Sequence, residues 1–285
     1  MFISKNSRAS FFLPTEKNAD LAFRRTTHLG VVAHQDDLEI ATFAAILECY
    51  KNPCKWYSGV VCTDSPGEGY FDDYATCSKE ELIKIRRAEQ CDVASLGEYS
   101  SVIQLGYTSQ EIQDITNLDV VQDLIQILEL TEPECVYTHS PYDRHYTHLS
   151  TFWSLLKAIQ SLPQEKRPKK LFGGEVWRDL DWINEEYKEV IRLNDPEQLG
   201  KRLIEAYKSQ NVGLKKNYNL GIIGRRQANA TFLSAYDTEL VSGVEYLVDL
   251  SLLITDDTVS VFDLVQEQIN NFAEDIVARL EKVKR

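Results

Sequence analysis

The sequence predicts an α/β protein: a Rossmann-like parallel sheet with helices on both faces, plus a C-terminal helical elaboration. Three observations carry that expectation. Apolar runs of strand length alternate with longer amphipathic stretches through the first two thirds of the chain. Parallel neighbours need a crossover, so this repeat implies a parallel sheet covered on both sides. Of 285 residues 43% are apolar, enough to bury a full core. The final stretch, FDLVQEQINNFAEDIVARLEKVK, reads as a long amphipathic helix. No linker rich in Pro, Gly or Ser interrupts the chain and no repeat divides it. Residues 1–285 therefore read as a single domain, with a core over about 28–250, an N-terminal extension over 1–27 and the last helix over 257–285.

The elements follow in order. HLGVVAH (28–34) is a strand, DDLEIATFAAILECY a helix, and WYSGVVCTD (56–64) a second strand running into the turn-rich SPGEG. SKEELIKIRRAEQCDVASLG (78–97) is a helix with Ser78 as N-cap, Glu81 closing a capping box and Gly97 at its end. SVIQLGY is a strand, LDVVQDLIQILEL a helix, CVYTH (135–139) a strand, HLSTFWSLLKAIQSL a helix and KLFGGEVW a strand. Beyond about 180 the texture changes. DWINEEYKEVIRLN reads as a hairpin or an extended pair, and DPEQLGKRLIEAYKSQ as a helix capped by Asp195, with Pro196 at its first helical position and Gln198 completing the box.

Composition removes several function classes. The formal charge of −13, without a long Lys/Arg stripe, sets an electrostatic penalty against binding a phosphate backbone, so nucleic acid is not an expected partner. No segment approaches the ~18–20 apolar residues that span a bilayer. The first residues lack a secretory pattern, and six cysteines scattered without a Cys-x-x-Cys pair read as thiols of a reducing compartment. A cytoplasmic protein is expected. A nucleotide cofactor is disfavoured, because no Gly-x-Gly-x-x-Gly follows the first strand.

That strand instead runs into His34, Gln35, Asp36 and Asp37. Two adjacent carboxylates cost free energy unless a cation or proton shares them, and a sheet has no structural use for the arrangement. In open parallel sheets ligands bind beyond the carboxyl ends of the strands. The second strand ends in Thr63-Asp64, and THSPYDRHYTHLS follows the CVYTH strand with His139, Asp143, His145 and His148. Catalytic zinc takes three imidazole or carboxylate ligands and keeps one position open. His34, Asp37 and His148 suit that set for zinc or another divalent metal. Asp36 is then the general base for an attacking water, and His145 can hold the developing oxyanion or protonate a departing amine, with Asp143 orienting the His145 ring. A single Asp here is otherwise a helix N-cap; that explains one carboxylate and not the pair. His28 and His139 read as hydrogen-bonded structural residues.

These segments carry a resemblance. AHQDDLE resembles the Ala-His-Pro-Asp-Asp-x-Glu signature of the PIG-L/LmbE-like family of zinc-dependent N-deacetylases. VCTDSPGEG, IRRAEQ, DRHYTH and the KSQ at 208–210 resemble further family segments. The resemblance implies that His34, Asp37 and His148 are zinc ligands, Asp36 the base, His145 the transition-state histidine and Arg86 a sugar contact, with Arg87 competing for that register. Gln35 stands where the family usually has proline, and is expected to loosen the loop. The implied substrate is a small N-acetylated amino sugar or glycoside. Asp64 and Glu68 are further candidates for its hydroxyls, and Tyr70, Phe71 and Trp177 for its ring face. The expected reaction is hydrolysis of an N-acetylglucosamine-type acetamide by metal-activated water. The alternatives are an amidase or deacylase of another amide on the same scaffold, or a metal-binding relative without catalysis. Arg225, Arg226 and Asn229 carry no assigned role, and the last helix leaves room for a homo-oligomer.

Overall fold

Alternate residues of a strand face opposite sides of its sheet, so apolar runs without polar interruption need cover on both faces. The structure is a computed structural model that describes residues 2–64, 66, 72–195, 198–211 and 217–284. The described residues hold one eight-stranded sheet: β1 (Ser10–Phe12), β2 (His28–Val32), β3 (Tyr57–Thr63), β4 (Ser101–Tyr107), β5 (Cys135–His139), β6 (Lys170–Gly174), β7 (Lys188–Leu193) and β8 (Gly243–Asp249). Its order is β1-β4-β3-β2-β5-β6-β8-β7. The five apolar runs expected as strands are β2 to β6, and they pair in parallel. Leu29, Val31, Val60 and Ile103 feed the core on one face, beneath helices Asp119–Thr131 and Tyr146–Gln160. Val32, Val61 and Val102 feed the other, beneath helices Phe43–Cys49 and Lys79–Leu96. Gly30 of β2 lies so close to the second layer that a Cβ there would stand 2.0 Å from the Tyr57 hydroxyl.

The edges depart from a purely parallel sheet. β1 pairs antiparallel with β4, bringing part of the N-terminal extension into the sheet. DWINEEYKEVIRLN is no hairpin: it supplies only β7, whose antiparallel partner β8 lies some fifty residues further on, and β8 in turn pairs antiparallel with β6. The helix expected after β2 is broken into Asp37–Ala41 and Phe43–Cys49. At the break Thr42 donates its hydroxyl to the Leu38 carbonyl at 2.8 Å, a local bond that competes with the helical ladder. The capping box of Ser78 and Glu81 forms as expected. Asp195 receives the backbone N–H groups of Leu199 and Gly200, but the helix starts at Leu199, later than Pro196 suggested. Pro196 itself is outside the described residues. Among the described residues no helix is long and apolar enough to cross a membrane.

Strands β2, β3 and β4 spread to one side and β5 and β6 to the other, so the order reverses between β2 and β5. Such a switch point opens a crevice at the carboxyl ends of the strands. The segments following β2 and β5 carry His34 to Asp37 and Asp143 to His148, and they meet there.

Candidate metal centre

Each loop is built to hold its side chains. Ala33, just past β2, donates its N–H to His139 Nε2 at 2.9 Å and receives the Thr63 N–H at 2.8 Å, which pins the strand tip to its neighbours. Asp36 has φ of 87°, left-handed backbone that L residues adopt at a cost of order 1 kcal/mol or more. It occupies the N-cap position of the helix Asp37–Ala41 without capping it. Asp37 Oδ2 receives the His34 backbone N–H at 2.8 Å. Helix capping therefore accounts for neither carboxylate. Gln35 does not loosen the loop. Its buried amide donates to Gln104 Oε1 at 3.2 Å, and its carbonyl receives Gln210 Nε2 at 3.0 Å. Hydrogen bonds to β4 and to the turn that follows the helix Leu199–Glu205 take the place of a proline ring.

Three donor atoms converge. His34 Nδ1 lies 3.0 Å from Asp37 Oδ2 and 3.1 Å from His148 Nε2, and His148 Nε2 lies 3.3 Å from Asp37 Oδ2. Four donors at the usual zinc distance stand roughly 3.3 Å apart in a tetrahedron. The triangle thus has the size of one tetrahedral face. Asp37 and His148 are buried, and His34 is half-buried. Burial favours the neutral form of Asp37, yet the charges and hydrogen bonds of His148 and His34 hold its carboxyl well below the ordinary range. Burial likewise opposes charging of His148, but Asp37 and Asp143 outweigh it and raise the ring to about 10. A cation held among these atoms would take the place of that proton.

Asp143 differs from expectation. Its Oδ2 holds His148 Nδ1 at 3.0 Å, while its Oδ1 receives only the backbone N–H of His145, at 2.8 Å. The helix starts at Tyr146, and its first turn swings His148 back over Asp143. The ring it orients is therefore that of His148, with Nε2 directed into the triangle. His145 sits at the rim with its ring centroid 4.6 Å from His148 and 5.1 Å from His34, and its Nδ1 is buried without a partner. Burial, then the positive charge of His148, lowers its affinity for a proton. His139 stacks on His148 at 3.9 Å. His139, Asp37 and His148 form a second possible donor group beside His34, His145 and His148. However, the Ala33 N–H already occupies the Nε2 lone pair of His139, in keeping with the structural reading.

Asp36 feels the charges of the same group of residues, Asp37 and His148 among them. Burial most of all, then the charge of Asp37, pushes its carboxyl well above the ordinary range, and Arg86 pulls it back. Arg86 and Arg87 separate cleanly. Arg87 grips Asp64 through Nε at 2.8 Å and Nη2 at 2.6 Å, so the Asp64 carboxylate expected to read substrate is committed to a half-buried bidentate pair. Arg86 is the arginine whose charge reaches Asp36. Glu68, Tyr70 and Phe71 lie outside the described residues. Trp177 adjoins the His145 loop, where its carbonyl receives Arg144 Nη2 at 3.3 Å, and its ring meets Tyr218 edge-on at 6.1 Å.

Arg226 is buried beneath the loop. It donates to the Glu39 carbonyl at 2.7 Å and lies over Phe43 at 4.3 Å. Arg225 binds the Val176 carbonyl at 3.1 Å, and Asn229 binds Asp179 at 3.4 Å. All three brace the scaffold. Sequence reasoning passed over Glu39, whose carboxylate receives the hydroxyls of Tyr99 and Tyr207 at 2.6 Å, and Tyr218, whose phenol is raised by burial and then by the charges of Asp36 and Asp37. The acidic residue two beyond Asp37 in AHQDDLE was the only available signal for the first.

The family model described as GlcNAc-PI de-N-acetylase (PIG-L) matches residues 29–159. A search of curated proteins finds no match. Among solved structures, N,N′-diacetylchitobiose deacetylase of Pyrococcus horikoshii superposes with a TM-score of 0.64 at 18% identity, covering 84% of this chain and 88% of that one. A conserved protein of Thermus thermophilus gives 0.61 at 15% identity, covering 79% and 94%. GalB, the 4-carboxy-2-hydroxymuconate hydratase of Pseudomonas putida KT2440, gives 0.60 at 16%, covering 79% and 96%. Likenesses this remote show a common fold. The stretch that matches the PIG-L family model, residues 29–159, holds all the candidate ligands.

Proposed function

We propose that this protein is a zinc-dependent hydrolase that removes the N-acetyl group from an N-acetylglucosamine-type sugar or glycoside. The observation that carries the reading is the triangle of His34 Nδ1, Asp37 Oδ2 and His148 Nε2, with edges of 3.0 to 3.3 Å and a carboxylate behind the His148 ring. The donor set of two imidazoles and a carboxylate is one that catalytic zinc accepts. Zinc, when bound there, supplies the Lewis acidity that polarises an amide carbonyl and acidifies water.

The chain's own residues supply the rest. Asp36 accepts the proton of the attacking water, and its raised affinity for a proton makes its carboxylate the stronger base. As the water oxygen bonds to the acetyl carbon, His145 donates a ring N–H to the carbonyl oxygen that gains charge. The proton held by Asp36 passes to the nitrogen, the carbon–nitrogen bond breaks, and acetate and a free amine leave. Arg86 at the rim binds sugar hydroxyls, and Trp177 with Tyr218 offers a ring face for the pyranose. The PIG-L segment and the diacetylchitobiose deacetylase neighbour support a sugar substrate. Six free cysteines suit a reducing, cytoplasmic setting.

The hydratase neighbour favours one second reading, addition of water to an unsaturated acid on the same scaffold. Zinc-loaded protein incubated with N-acetylglucosamine, N,N′-diacetylchitobiose and a panel of N-acetylglucosaminides separates the two. The proposal expects acetate and primary amine released in equal amounts from at least one of them. No release from any of the panel, with hydration of an unsaturated acid instead, discards it.

A further inference from the structure

The helix Val261–Val283 runs 23 residues, yet Val261, Leu264 and Gln268 are its only buried residues. Its first turns are anchored: the Tyr142 hydroxyl bonds Gln268, and Trp182 meets Phe272 edge-on at 5.6 Å. From Ala273 to Val283 no residue is buried. A helical end of that length lacks the packing that sustains short helices in water. It nevertheless presents apolar side chains, since Ile276, Leu280 and Val283 are 41%, 65% and 84% exposed. With Ile269 and Ala273 they follow the alternating four- and three-residue spacing of a coiled-coil seam.

The charges flanking the seam are divided. From 261 to 278 the helix carries Asp263, Glu267, Glu274 and Asp275 and no basic residue, whereas 279–285 carries Arg279, Lys282, Lys284 and Arg285 against Glu281 alone. We propose that the seam is covered by the same helix of a second copy of this chain, antiparallel and crossing near Ile276. In that arrangement the basic end of each helix lies beside the acidic stretch of the other. A parallel pair would set the two basic ends together. The acidic flank also opposes an anionic lipid surface, which amphipathic helices with a basic polar face prefer.

Sedimentation velocity of the full chain over a micromolar concentration series tests the proposal. The parent protein should sediment as a dimer. The double variant Ile276→Glu, Leu280→Glu, which alters no buried residue, should sediment at half that mass with unchanged circular dichroism. In a Cys54→Ser background, oxidation of Ile276→Cys should link two chains, and Val283→Cys should not. A monomeric parent, a dimer that persists in the double variant, a Val283→Cys link, or a monomer that uses these residues to bind phosphatidylserine vesicles overturns it.

Discussion

Replacing Asp143 by Asn isolates what the carboxylate behind His148 contributes. Its two oxygens have separate tasks, one on His148 Nδ1 at 3.0 Å and one on the His145 amide at 2.8 Å. A carboxamide has one acceptor oxygen where the carboxylate has two, so Asp143→Asn must give up one bond or turn its NH₂ toward a donor. If the oxygen stays on His148, the ring keeps its tautomer but loses charge assistance. If the NH₂ faces Nδ1, the proton of the neutral ring moves to Nε2 and blocks the donor inside the triangle. Both groups are buried, so solvent does not dilute the loss. Carboxylates in this position are worth about 10- to 100-fold in metal affinity, or roughly 1.4 to 2.7 kcal/mol. Zinc affinity measured by competition with a chromophoric chelator should fall by that factor, with circular dichroism unchanged. An affinity within twofold of the parent refutes the assignment of His148 Nε2 as a donor held by Asp143.

Asp36→Ala should retain zinc and lose at least about 100-fold in kcat, as expected of a general base; normal turnover with bound zinc would remove Asp36 from the mechanism. Zinc affinity should rise about tenfold per pH unit through neutrality, because the metal must displace the proton that His148 holds up to about 10. A pH-independent affinity in competition titrations at pH 6, 7 and 8 would contradict this. Glu245 is buried, and burial raises its carboxyl from 4.5 to about 7 against the pull of Arg226. The folded state thus binds a proton that the unfolded chain has lost, so this contribution is complete below about 4.5 and fades as pH rises to about 7. The loss is on the order of 3 kcal/mol. Glu245→Gln should flatten the dependence between those limits in urea denaturation, and an unchanged slope would show that the carboxyl is not protonated in the fold. Gly30→Ala, whose new Cβ would meet Tyr57 at 2.0 Å, should destabilise by about 1–3 kcal/mol or more, read as a lower urea midpoint.

The parallel centre of the sheet was legible because β2 to β6 are apolar on both faces and separated by helices with their own start signals, such as Ser78 and Glu81. The edges were not. β1 is three residues long, too short to show alternation, and β7 pairs with a strand far along the chain, where local reading looks for a neighbour. The convergence of the His34 and His148 segments was readable from strand ends alone, since the topology of a parallel sheet puts those ends together. Side-chain direction within a loop was not. Asp143 stands nearer His145 in sequence, but the turn of the following helix gives it to His148. Asp64 looked available until Arg87, from another element, claimed both its oxygens. Spacing locates a site, and long-range pairing decides which of its polar groups remain free for a ligand.

Hydrolysis at this site depends on one divalent ion shared by the loops after β2 and β5. A crystal of the zinc-loaded protein, with diffraction recorded on both sides of the zinc absorption edge, tests it most directly. A shared ion should give one strong anomalous peak about 2.0–2.2 Å from His34 Nδ1, Asp37 Oδ2 and His148 Nε2 together. A peak elsewhere, or one ligated through His139 or His145 with Asp37 left out, would contradict it.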